Sequence, residues 1–221
     1  MPRKEPFLTV LTETKVIAVV RLDTAGDLAP VMKSLYQGGV KIIEITSTSP
    51  NFLETIQSLK EQFLSFDDVF VGAGTVLDAG MARDAVSHGA DFVVSPVFDR
   101  DIISFCRDEA VPVMAGCMTP TEIFTAWKAG SDIIKTFPGG ICTPGFYKDM
   151  AGPFPRIKMM PTGNVTIQTA PEYIKAGAAA VGIGKALVSK ELIAAQDFPQ
   201  ITENARRYTG LLNPVKPGGR R

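Results

Sequence analysis

Short runs of β-branched and other apolar residues recur along the chain, at positions 16–21, 42–46, 69–75, 92–96, 111–116, 133–138, 157–163 and 180–184. Their first residues lie 19 to 27 positions apart (16, 42, 69, 92, 111, 133, 157, 180). Between them the apolar period changes. Leu28, Val31, Met32, Leu35 and Tyr36 share one helical face, as do Ile102, Ile103, Phe105 and Cys106. Many of these helical stretches close on glycine, at Gly38-Gly39, His88-Gly89, Ala129-Gly130 and Ala176-Gly177, which predicts left-handed C-caps. A strand–helix unit repeated eight times over short connections predicts parallel strands joined by right-handed crossovers. Eight such units close into a single (β/α)8 TIM barrel. The competing doubly wound sheet has fewer strands and a dinucleotide fingerprint, and Gly72-Ala73-Gly74 lacks the third glycine and reads as a strand end. Residues 1–15 are expected to form a short helix closing the bottom of the barrel, and 186–211 the last helix.

The length of 221 residues suits one barrel, so the chain is read as a single domain over 1–221. Its last residues, 212–221, include Lys216-Pro217-Gly218-Gly219-Arg220-Arg221 and read as a disordered tail. Lys plus Arg and Asp plus Glu number 23 each, so no global field draws in nucleic acid or an anionic membrane. No apolar stretch approaches the ~20 residues of a membrane span, and the N-terminal residues lead into no signal-peptide core. Cys106, Cys117 and Cys142 are too widely spaced for a disulfide framework or a cysteine-based zinc site, which suggests a reducing cytoplasm. His88 is the single histidine and sits before Gly89, where a helix-end dipole contact explains it. A transition-metal site is not expected.

The candidate chemistry lies in two of the apolar runs. Ser131-Asp132-Ile133-Ile134-Lys135-Thr136-Phe137-Pro138 carries a lysine where a strand ordinarily has Val, Ile or Leu, and Lys41-Ile42-Ile43-Glu44-Ile45-Thr46 carries a lone carboxylate in a similar place. Burial strips hydration from an ammonium and favours the amine, and an amine beside a carboxylate is equipment for Schiff-base chemistry on a carbonyl. Side chains alternate along a strand, so Ile133, Lys135 and Phe137 share a face, as do Ile42, Glu44 and Thr46. If Lys135 and Glu44 both point inward, they meet inside the barrel from strands two and six. Arg21, Thr75, Pro96 and Thr162 end strands one, three, four and seven at the same mouth. Met160-Pro161-Thr162-Gly163-Asn164 and Val181-Gly182-Ile183-Gly184-Lys185 end strands seven and eight, where backbone N–H groups commonly hold phosphate and Lys185 adds a full charge. Blander readings exist for each feature. Lys135 could snorkel to the rim or form a structural ion pair with Glu44, Arg21 could cap a helix, and the glycines could serve tight turns only.

The set Ile43-Glu44-Ile45-Thr46, Val71-Gly72-Ala73-Gly74-Thr75-Val76, Val94-Ser95-Pro96, Lys135-Thr136-Phe137-Pro138 and Pro161-Thr162-Gly163 resembles the KDPG/KHG aldolases, in order from about residue 10 to 195. The resemblance implies a class I barrel, usually a homotrimer, that needs no metal or cofactor. Such enzymes cleave 2-keto-3-deoxy-6-phosphogluconate or 4-hydroxy-2-oxoglutarate through a lysine Schiff base with pyruvate. By position it implies Lys135 as the Schiff-base lysine and Glu44 as general acid and base. Thr75 and Arg21 would hold the pyruvyl carboxylate, Pro96 and Phe137 would line the pocket, and Gly163 and Gly184 would cradle the distal phosphate. Thr162, Asn164 and Lys185 fall beside them.

Three positions depart from the family pattern. Residue 48 is Thr where many members carry a carboxylate-binding arginine, which leaves Arg21 to supply that charge. Residue 164 is Asn where a second glycine is common, and 185 is Lys where serine is common; both bear on the far end of the substrate. The expected reaction is reversible aldol cleavage of a 2-keto-3-deoxy sugar acid to pyruvate and an aldehyde such as glyceraldehyde 3-phosphate. The alternatives are a phosphate-binding barrel isomerase or decarboxylase, in which Lys135 only stabilises an enolate electrostatically, and a non-catalytic keto-acid-binding relative.

Overall fold

A computed structural model of the chain describes residues 4–213. Helix α1 (Lys4–Thr14) precedes β1 (Val16–Val20), α2 (Ala29–Gln37), β2 (Ile42–Thr46), α3 (Phe52–Gln62) and β3 (Phe70–Gly74). Then come α4 (Ala79–Ser87), β4 (Val93–Val94), α5 (Arg100–Asp108), β5 (Val113–Cys117), α6 (Pro120–Ala129) and β6 (Ile133–Thr136). The chain continues through α7 (Pro144–Ala151), β7 (Met159–Pro161), α8 (Ala170–Lys175), β8 (Val181–Ile183), α9 (Lys190–Ala194) and α10 (Phe198–Leu212). All eight strands run parallel in the order β7-β6-β5-β4-β3-β2-β1-β8. The two ends of that series meet: the Ala179 N–H donates to Met159 O at 2.9 Å, and Thr162 bridges Gly182 in parallel register. The sheet therefore closes on itself as the expected single (β/α)8 barrel.

Every β2 residue is buried because the strand is covered on both faces, as parallel strands are. Ile43 and Ile45 join the large core between strands and helices, whereas Ile42 joins a second, smaller core inside the ring. Helix α1 fills the lower end of that inner core with Phe7 and Leu11. The Phe7 ring stacks on Phe92 at 4.8 Å between centroids and meets Phe70 edge-on at 5.5 Å. Lys4 pairs with Asp132 at 2.7 Å, and Asn213 Nδ2 donates to Thr14 O at 3.1 Å, which pins both ends of the plug. The closing helix expected over 1–15 is thus present as α1, with residues 1–3 outside the described residues.

Two expectations need correction. The last helix does not run through 186–211. Ser189 accepts from the Leu192 N–H and Asp197 from the Gln200 N–H, so each caps a new helix, with Gln196 at φ 54° between them. A tail does not begin at 212 either, since Leu212 is buried as the last residue of α10; the remainder of that expectation, 214–221, lies outside the described residues. The glycine C-caps are as expected: Gly39, Gly89, Gly130 and Gly177 have φ between 88° and 110°. Among the described residues no helix is long and apolar enough to cross a membrane.

Candidate active site

Glu44 is the third residue of β2 and Lys135 the third residue of β6. Strand register levels them with their neighbours: Val19, Glu44 and Gly72 pair across β1–β2–β3, and Gly116, Lys135 and Met160 across β5–β6–β7. In a ring of eight, β2 and β6 are four strands apart and stand on opposite walls. Both side chains point inward, with Glu44 1% and Lys135 4% exposed. They line one cavity of about 220 Å³ at the carboxyl ends of the strands, together with Arg21, Thr75, Pro96, Phe137, Thr162, Gly163 and Gly184. Thr46, on the same face of its strand as Glu44, lines it too, as does Val19, which the sequence did not single out.

The two charged groups face each other without touching. Neither Glu44 oxygen has a hydrogen-bond partner among the described residues, and Lys135 Nζ lies 5.2 Å from the centroid of the Phe137 ring. The structural ion-pair reading therefore fails, and so does the expectation that the pair would meet directly: the cavity lies between them. Burial pushes the Glu44 carboxyl above the usual carboxylate range, against the opposing pull of the Lys135 and Arg21 charges. Room for this carboxyl comes from Gly74, where a Cβ would collide with Glu44 Oε1. Thr162 is 6% exposed, lines the cavity and has an Oγ1 without a partner among the described residues; a Cβ on Gly182 would collide with that oxygen. A buried carboxylate and a buried hydroxyl left without partners cost stability, so their place at one cavity marks a site rather than a core.

The rim is shaped by the backbone. Thr75 is β-branched yet has φ 57°, a sterically costly conformation that must be held from outside. The Ser47 hydroxyl donates to Thr75 O at 2.7 Å and the Ser47 N–H to Gly74 O at 2.8 Å, which fixes that turn at the cavity edge. Arg21, just past the end of β1, lines this cavity and an adjoining one of about 460 Å³. Lys185 lines only the adjoining cavity, with Ser189, Lys190 and Glu191, and Lys190 pairs with Asp23. Asn164 lines neither, and its side chain stands beside Gly140 in the loop after β6. It is exposed, at φ 57°, a left-handed conformation that asparagine tolerates better than most residues.

The remaining candidates are remote or inert. His88 caps α4, with Nδ1 2.8 Å from Asp84 O. The three cysteines are free and buried, and burial pushes the Cys106 and Cys117 thiols up to about 12. Among the described residues no three His, Cys, Asp or Glu side chains converge as metal ligands would.

Comparison with known proteins fits this geometry. The family model for KDPG and KHG aldolase matches residues 8–204. A 2-dehydro-3-deoxy-phosphogluconate aldolase of Treponema pallidum is 32% identical over 193 residues, covering 87% of this chain and 90% of its own. The KDPG aldolase of Legionella pneumophila, solved with pyruvate captured at low pH as a covalent carbinolamine intermediate, superposes with a TM-score of 0.83 at 28% identity, over 91% of this chain and 96% of that one. A cube-shaped, porous protein cage designed by fusing symmetric oligomeric domains superposes at 0.82 and 25% identity, over 90% of this chain and 72% of that one. With a family match that spans nearly the whole barrel, and a lysine and a glutamate on opposite walls of its mouth, the chain belongs to the KDPG and KHG aldolase family.

Proposed function

We propose that this protein is a class I aldolase that reversibly cleaves a 2-keto-3-deoxy sugar acid, foremost 2-keto-3-deoxy-6-phosphogluconate, to pyruvate and glyceraldehyde 3-phosphate. The observation that carries the proposal is the facing pair: a buried lysine and an unpartnered buried glutamate across one cavity whose floor is packed shut. The Lys135 amine attacks the C2 ketone to give a carbinolamine, and the Glu44 carboxyl gives its proton to the departing hydroxyl, which is lost as water to leave an iminium. Glu44 takes the proton of the C4 hydroxyl, the C3–C4 bond breaks, and its electron pair moves into the iminium as an enamine while the aldehyde departs. Glu44 then returns its proton to C3, and hydrolysis frees pyruvate and the lysine. A carboxyl pushed up by burial is suited to both halves of this exchange, since its two forms are closer in energy at neutral pH. No cofactor enters, because the iminium formed on Lys135 is the electron sink.

The substrate's ends find groups on either side of this centre. Arg21 and Thr75 hold the keto-acid carboxylate, with Thr48 leaving Arg21 as its cation, while Pro96 and Phe137 wall the reacting carbons. Thr162, Gly163 and Gly184 line the catalytic cavity, and Gly184 also lines the adjoining one, where the Lys185 charge attracts a distal phosphate. The likeness to a cage built from symmetric oligomeric domains supports a homo-oligomer, which we take to be a trimer. Three free cysteines support a cytoplasmic home, and the family match supports reading 1–221 as one catalytic domain.

A panel of aldehydes offered with pyruvate in the synthetic direction tests the proposal. The expected result is condensation, with glyceraldehyde 3-phosphate preferred over its unphosphorylated counterpart. Turnover of a phosphorylated sugar without any pyruvate dependence would point instead to an isomerase or decarboxylase. Calorimetric binding of a keto acid with no product would point to a non-catalytic relative.

A further inference from the structure

At the end of β2 three hydroxyls form a chain. Thr46 Oγ1 lies 3.1 Å from Thr48 Oγ1 and 3.3 Å from Ser49 Oγ, and Ser49 Oγ accepts from the Leu22 backbone N–H at 2.9 Å. Ser49 and Leu22 are both buried, at 4% and 6% exposure. A serine hydroxyl has one hydrogen and two lone pairs. With one lone pair taken by the Leu22 amide, its hydrogen is free to turn to Thr46, which lines the active-site cavity. The chain thus runs from a backbone amide beyond β1 to the cavity wall at the end of β2.

The backbone it holds is the one that carries Arg21. Register pairing between β1 and β2 ends at Val20 and Ile45, so Arg21 and Leu22 lie outside the ladder. The Leu22–Ser49 bond ties that departing segment to the neighbouring strand's loop. Arg21 itself has no ion pair among the described residues, yet it reaches the cavity and acts on Glu44. Its direction therefore depends on where its backbone is fixed, and with Thr at position 48 no second cation stands on this loop to compensate.

We propose that Ser49 is a positioning residue for Arg21: by binding the Leu22 amide it aims the guanidinium at the carboxylate end of the keto acid. The proposal rests on the reading of Arg21 as the carboxylate's cation. A double-mutant cycle on pyruvate in the condensation direction tests it. Ser49→Ala should raise the KM for pyruvate about tenfold, the scale of losing one buried hydrogen bond, with kcat within about twofold. Ser49→Thr, which keeps the hydroxyl, should restore KM. Arg21→Ala should raise KM by itself, and adding Ser49→Ala to it should change nothing further. An undiminished Ser49→Ala effect in the Arg21→Ala background, or an effect on kcat in place of KM, would overturn the proposal. If Arg21→Ala leaves KM unchanged, the carboxylate reading of Arg21 fails and the proposal goes with it, a result separable from the previous one. Should Ser49→Ala not fold, Ser49→Cys fills a similar volume with a weaker acceptor and runs the same cycle.

Discussion

The lower and upper halves of the barrel interior are built from the same strands, with the same alternation of inward and outward residues. Below, the inward positions are Ile42, Phe70, Phe92 and Ile133, and α1 seals them with Phe7 and Leu11. One layer higher on β2, β3 and β6 the inward positions are Glu44, Gly72 and Lys135, with Gly74, Thr75 and Phe137 above them at the mouth. The lower layer excludes water by apolar packing. The upper layer leaves a carboxyl and a hydroxyl without partners among the described residues, removes side chains to make space, and holds Thr75 in a left-handed conformation. The contrast teaches that stability and chemistry are separated along a single axis, so substitutions should sort by height.

The largest effect should come from Lys135→Met, which removes the nucleophile. Turnover should fall to background in the condensation assay while circular dichroism stays native, since an unbranched apolar side chain suits the buried position. Next, Glu44→Gln should lower kcat by ~10²–10⁴, the range of general acid–base assistance. Its stability effect has the opposite sign. Because burial raises the Glu44 carboxyl in the folded state, the folded protein holds this proton more tightly than the unfolded chain. Wild-type stability from this group is therefore full below the ordinary carboxylate range and is lost as pH rises through the raised value. Glu44→Gln should accordingly raise Tm more at pH 8 than at pH 4, and an equal shift at both would break the link between burial and function. The same ionisation predicts that wild-type kcat falls on the acid side through a step above the usual carboxylate range, and that the step is absent in Glu44→Gln.

A substitution in the lower layer should invert this pattern. Phe7→Ala should cost ~3–5 kcal/mol of folding free energy, measured by urea unfolding, with kcat per folded molecule unchanged at low temperature. Smallest of all, Thr119→Ala removes the N-cap of α6, where Thr119 and Glu122 form a reciprocal capping box, and should cost ~1 kcal/mol with no kinetic effect.

How far the sequence disclosed these two layers follows from what each signal measures. The alternation of β-branched runs and helical periods revealed all eight strands, and glycine after four of the helices located their C-caps, because those signals are local. The same alternation put Glu44 and Lys135 on the inner wall. It could not give the distance across the ring, and the expected direct meeting gave way to a pair separated by the cavity. Gly163 and Asn164 are both left-handed, a backbone turn that the apolar pattern did not announce. Ser189 and Asp197 interrupt a stretch whose apolar residues alone read as one helix. Ser49 went unnoticed because its partner, Leu22, lies 27 positions away on another loop.

Reduction with borohydride in the presence of pyruvate, followed by peptide mass mapping, tests the central claim most directly. The reduced pyruvyl adduct should appear on the peptide bearing Lys135 and vanish in Lys135→Met. Active enzyme with no adduct, or an adduct that persists on another lysine, would contradict it.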